Sequence, residues 1–139
     1  MSGLRYLQPA HWSTPKGYSN GIMASGDSIW LAGQIGWDVG RKLAVGLPAQ
    51  VEQTLLNIVT LLVEANASPQ DLVRLTWYVV SIEDYAANLL DIGIAYKRVL
   101  GKHFPVMALV QVVRLVEQDA LVEIEATAVR RSPPITHAR

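Results

Sequence analysis

The 139-residue sequence contains no cysteine. That absence excludes a disulfide framework, a thiolate metal site and a thiol nucleophile at once. Histidine is scarce as well: His11, His103 and His137 stand singly, at spacings that suit neither a zinc nor an iron site, so no metal is expected. Charge is sparse and balanced, with twelve basic residues against twelve acidic ones and a pI near 6.8. A chain without basic excess lacks the footprint of a protein that grips phosphate backbones, and nucleic acid is not expected as a partner. No apolar run approaches the roughly 18 residues needed to cross a bilayer. The first ten residues show no apolar stretch behind a basic patch, so a cytoplasmic protein without a membrane span is expected.

Apolar residues, in contrast, are plentiful: they make up half of the chain, while charged residues make up 17%. A domain of this size cannot hide that much apolar surface alone, which points to self-association. The length suits one domain over 1–131, and residues 132–139 read as a disordered tail.

Strand patterning dominates the first forty residues: Gly3 to Gln8, Gly21 to Ser25, a turn at Ser25-Gly26-Asp27, and Ser28 to Gly36. The last two of these strands are expected to form a hairpin. Pro48 then opens a helix whose apolar residues Val51, Leu55, Ile58, Val59 and Leu62 recur at helical spacing and which ends near Asn66. Leu72 to Val80 is rich in β-branched and aromatic residues and reads as a fourth strand. Ser81, with Asp84 three residues on, caps a second helix with Tyr85, Leu89, Ile92, Tyr96 and Val99 on one face and a stop at Gly101. Met107 to Leu115 is apolar on both alternating faces, whereas Leu121 to Val129 separates Val122, Ile124, Ala126 and Ala128 from Glu123, Glu125 and Thr127. The expected fold is therefore α+β: a six-stranded mixed sheet, order βββαβαββ, with two helices on one face. The other face awaits cover from another subunit.

Several stretches taken in order resemble the RidA (YjgF) family: KGYSNGI from Lys16, LAGQIGWD from Leu31, QVEQTLLNI from Gln50, HFPVMALVQVVRL from His103 and VEIEATAVRR from Val122. The resemblance implies a chorismate-mutase-like fold, homotrimers whose sheets face a central barrel, and small-molecule clefts between neighbouring subunits. It further implies cofactor-free hydrolysis of enamines and imines to 2-oxo acids and ammonia. The family's key residue is an arginine two positions after the proline of Phe104-Pro105-Val106-Met107, where its guanidinium holds the substrate carboxylate through paired charge-assisted bonds. This sequence has Met107 there, followed by Ala108, and a thioether cannot pair a carboxylate.

Three family positions carry over. Tyr18 matches a tyrosine that closes the cleft, where its hydroxyl positions a ligand or its ring packs at an interface. Gly33 matches a glycine whose bare backbone admits a ligand, or else marks a bulge. Glu123 matches the carboxylate that holds the attacking water; its alternatives are an ion pair with Arg114 or a proton shared with Glu125. The family's helix asparagine is not carried over, because Asn88 falls out of register. Lys16, Lys102 and His103 are the candidates to replace the missing cation, and one or two of Trp12, Trp30, Trp37 and Trp77 are candidates to line a more apolar cleft. Two function classes stay open, a divergent deaminase with Glu123 as its catalytic residue and a noncatalytic metabolite-binding protein. A ribonuclease or translation-inhibitor role, implied by names within the family, is disfavoured by the neutral charge.

Overall fold

The computed structural model describes residues 3–131; the tail expected at 132–139, and His137 within it, lie outside the described residues. Among the described residues six strands form, but in two sheets rather than one. β1 (Leu4–Tyr6) pairs antiparallel with β2 (Ile22–Ala24), while β3 (Asp27–Gln34), β4 (Leu72–Val79), β5 (Val106–Gln111) and β6 (Val122–Arg130) form a sheet in the order β3-β6-β4-β5. The hairpin expected between β2 and β3 is therefore corrected. Chain reversal at Gly26 does occur, but β2 spends its ladder on β1, with Leu4 opposite Ala24 and Tyr6 opposite Ile22. Gly26 is where the two sheets touch: a Cβ there would lie 2.2 Å from the carbonyl oxygen of Arg130. Because that neighbour is backbone and cannot swing aside, Gly26→Ala is expected to cost about 2 to 3 kcal/mol of stability, measured by denaturant unfolding.

β6 is antiparallel to both β3 and β4, and β4 is parallel to β5. Two crossovers result, β3 to β4 through α1 (Leu47–Glu64) and β4 to β5 through α2 (Ile82–Ala87) and α3 (Leu89–Leu100). Both advance in the same direction along the sheet, and crossovers of one hand then leave their helices on one face. The core confirms it: Val51, Leu55, Ile58 and Leu62 of α1 and Ile92 and Leu100 of α3 pack on Leu75, Trp77, Val79, Val122, Ile124 and Ala126. Among the described residues, no helix is long and apolar enough to cross a membrane.

Pro48 falls in the first turn of α1, and Asn66 adopts a left-handed φ of 55° just past its end, where Ala67 N–H donates to Leu62 O at 2.8 Å. The single second helix expected from Ser81 to Gly101 is instead two, with Asn88 at the break. β5 also stops earlier than expected. Its pairing partner β4 ends at Val79, opposite Gln111, and the last backbone bond between them runs from Val112 N–H to Val79 O at 2.9 Å. On the far face of the sheet Arg74, Thr76, Tyr78, Ala108, Val110, Glu123, Glu125 and Thr127 lie uncovered by α1, α2 or α3, together with Trp30, which is 77% exposed.

Candidate functional site

The segment before β2 is laced onto the start of β5. Ser19 N–H donates to Pro105 O at 3.1 Å, and its hydroxyl donates to Phe104 O at 2.5 Å. This brings Tyr18 beside Met107 and Ala108. Met107 sits opposite Leu75 and points to the helix side; Ala108, opposite Thr76, points to the uncovered side. Two hollows meet here. One, of about 350 Å³, lies between α3 and the β4–β5 edge and is lined by Tyr18, Trp77, Tyr85, Tyr96, Phe104 and Met107 among others. The other, of about 270 Å³, is lined by Tyr18, Ser19, Asn20, Arg74, Val106, Met107 and Ala108.

Arg74 was missed in the sequence. It makes no ion pair or hydrogen bond among the described residues, and it lies opposite Val106 on the side facing Ala108. The alternation of Arg74, Thr76 and Tyr78 against Leu75, Trp77 and Val79 carries the signal, within a segment dominated by apolar residues. Of Lys16, Lys102 and His103, only Lys16 reaches the larger hollow, joined there by Lys97. Lys102 lines neither hollow. His103 is buried, with Nε2 2.8 Å from Leu72 O and its own carbonyl accepting from the Tyr96 hydroxyl at 2.5 Å, so it is structural. Burial pushes the phenols of Tyr85 and Tyr96 up from their ordinary values, which keeps these two hydroxyls neutral.

Gly33 and Glu123 form a second cluster at the opposite end of the sheet. A Cβ on Gly33 would lie 2.7 Å from Cδ of Glu123, so the bare backbone is what lets the carboxylate lie against β3. The pairing of β3 with β6 slips between Leu31 and Gln34, so Gly33 also sits at a bulge. Together with Gln34, Ile35, Trp37, Val116 and Glu117 the two residues line a hollow of about 260 Å³.

Neither partner expected for Glu123 is present. Arg114 turns to the carbonyls of Leu115 and Val116, and Glu125 accepts a 2.6 Å hydrogen bond from the Tyr78 hydroxyl. That bond, more than any other cause, raises the Tyr78 phenol above its usual range. Glu123 itself is half-buried and accepts no hydrogen bond among the described residues. Asn88 folds its amide back onto Asp84 O at 2.8 Å, away from any site role. Of the tryptophans, Trp77 lines the α3 cavity and Trp37 the Glu123 hollow; Trp37 also lies under the Arg41 guanidinium, 4.6 Å from the ring centre.

One chain does not bring the two clusters together. Glu123 sits directly across from Tyr78, which sits across from Val110, so it is two strand spacings, roughly 10 Å, from β5. The Met107 side chain, moreover, is on the other face. The chain thus presents two half-sites. One, at the β5 end, is apolar with a guanidinium and a phenol beside it; the other, at the β3 end, holds the Glu123 carboxylate.

A family model described as Endoribonuclease L-PSP matches residues 10–130. A RutC family protein of Pyrococcus abyssi is 34% identical over 113 residues, which is 80% of this chain and 84% of that protein. The 2-iminobutanoate/2-iminopropanoate deaminase of Salmonella typhimurium is 32% identical over 110 residues, 76% of this chain and 82% of its own. Among solved structures, the Rid-family protein YyfB of Yersinia pestis, itself described as of unknown function, superposes with a TM-score of 0.79 at 33% identity, covering 91% of this chain and 98% of that one.

Proposed function

We propose, from the premise that this chain belongs to the endoribonuclease L-PSP (RidA/YjgF) family, that it works as a homotrimer whose clefts hydrolyse a C=N bond without a cofactor. Each cleft is completed by two copies. One supplies Tyr18, Met107 and Ala108 with Arg74 beside them; its neighbour supplies Gly33 and Glu123. In the reaction Glu123 takes a proton from water as the oxygen adds to the imine carbon and passes it to the nitrogen; it then carries the hydroxyl proton of the resulting carbinolamine to the same nitrogen, which leaves as ammonia while the carbonyl forms. The imine relatives by name support the reaction class.

A single observation carries this reading: Glu123 is a half-buried carboxylate without a hydrogen-bond partner among the described residues, laid open by Gly33, at the opposite end of the sheet from Tyr18, Met107 and Ala108. A carboxylate kept so is costly unless something outside its own chain uses it. Met107 makes the cleft a poor holder of acids, so the preferred substrate carries its C=N bond on an uncharged or weakly charged frame.

Shared clefts can be tested by mixing. Wild type lacks the guanidinium at position 107, and the double variant Met107→Arg, Glu123→Gln lacks the proton carrier. Each alone is expected to turn over 2-iminopropanoate poorly. Co-expressed as mixed assemblies, they should recover roughly a quarter of the turnover of Met107→Arg, because random assortment pairs the intact halves in that share of clefts. Recovery of nothing, with mixed assemblies demonstrated by mass, would show that the halves do not meet between copies.

A further inference from the structure

The cavity beside α3 holds chemistry that the hydrolytic reading does not use. Trp77 is 2% exposed and lines this cavity, and its Nε1–H has no acceptor among the described residues. Nearly all buried donors in folded proteins are satisfied, by protein atoms, water or a bound molecule, because leaving one unpaired is unfavourable. Rings surround it: Tyr85 meets Trp77 edge-on at 6.3 Å, and Tyr96 stacks at 5.6 Å on Phe104, the chain's only phenylalanine.

Gly93 lines the same cavity from the middle of α3, and a Cβ added there would meet nothing within 4 Å. A glycine in that place weakens the helix relative to alanine, and its missing side chain keeps the volume open. No carboxylate lines the cavity. Lys16 and Lys97, its charged neighbours, are exposed and keep their ammonium groups in water. An apolar cavity of roughly 150 Å³ already holds a benzene ring, and this one measures about 350 Å³.

We infer that the cavity binds an uncharged aromatic molecule bearing a hydrogen-bond acceptor, its ring among Trp77, Tyr96 and Met107 and its acceptor on the Trp77 Nε1–H. This rests on the reading that the chain takes a small molecule in its cleft, and it names the class.

Benzamide, benzoate and toluene titrated into the ¹⁵N-labelled full chain test it. Benzamide is expected to bind at about 1 mM or tighter. It should move the indole N–H resonance assigned to Trp77 by its loss in Trp77→Phe. That substitution should weaken benzamide roughly tenfold and leave toluene within about twofold, because toluene makes no use of the indole N–H and a ring remains at position 77. Benzoate should bind at least about tenfold more weakly than benzamide, since its charge would be desolvated. Gly93→Leu should abolish binding of both neutral rings by filling the space, whereas Gly93→Ala should keep binding within about threefold and raise the melting temperature.

An unmoved Trp77 resonance overturns the inference, as does equal benzamide affinity in Trp77→Phe or benzoate binding as tight as benzamide. Should Gly93→Leu fail to fold, the resonance and the Trp77→Phe series decide alone. Benzamide binding that persists in Glu123→Gln, beside a wild type inert towards imines, would keep this assignment and remove the hydrolytic one. Imine turnover without benzamide binding would do the reverse.

Discussion

Met107→Arg is expected to raise turnover of freshly generated 2-iminopropanoate by about a hundredfold over wild type, chiefly through a lower KM. The estimate follows from the substrate's charge. A carboxylate entering an enclosed cleft loses water, and without a partner that loss is worth several kcal/mol; recovering about 3 kcal/mol through a bidentate guanidinium corresponds to somewhat more than two powers of ten in affinity. The geometry is favourable, because Met107 is half-buried and touches both hollows at the β5 end, so a longer side chain has space to enter. Arg74 is the rival. It lines the smaller hollow with Tyr18 and Ala108 and has no partner of its own among the described residues. Wild-type turnover equal to that of Met107→Arg, lost on Arg74→Met, would mean that Arg74 already holds the acid and that Met107 is no handicap.

The second large effect is expected at the other half-site. In the Met107→Arg background, Glu123→Gln should lower turnover by roughly 10² to 10⁴-fold, the usual contribution of a positioned general acid/base, because an amide of the same shape cannot take a proton. Gly33→Ala separates position from identity. Its Cβ would overlap Cδ of Glu123, and since that carboxylate ends a flexible side chain it can swing away with little loss of stability. A displacement of about 1 Å is enough to cost on the order of a hundredfold in rate. Steady-state turnover and thermal unfolding of both variants would check this. Turnover within tenfold of the parent in Glu123→Gln would put the proton on another group.

Much of this architecture was legible in the residues. The 3.6-residue spacing of Val51, Leu55, Ile58 and Leu62 and the two-residue alternation of Val122, Ile124, Ala126 and Ala128 report burial directly, and all of them are core. Pairing partners were less legible. The glycine turn before β3 announces a reversal but not which edge β2 will join, and β2 joins a strand from the far end of a long loop. The break at Asn88 was hidden because apolar residues keep helical spacing across it, from Tyr85 to Leu89 and Ile92. At the site, the family likeness located Tyr18, Gly33, Met107 and Glu123, and the fold shows that they fall into two separate groups. Arg74 had no motif to announce it, because its place in the cleft depends on the parallel pairing of β4 with β5, a contact between segments some thirty residues apart.

The position of β6 has a consequence for biosynthesis. Among the described residues it is the last strand in chain order, yet it lies between β3 and β4 and hydrogen-bonds to both. Until residues 122–130 leave the ribosome, the segments before them can assemble only as separate pieces with two open strand edges, a state prone to sticking to other chains. Closure of the sheet therefore waits for residues 122–130, and a chain cut short anywhere before Val122 would leave β3 unjoined to β4 and β5.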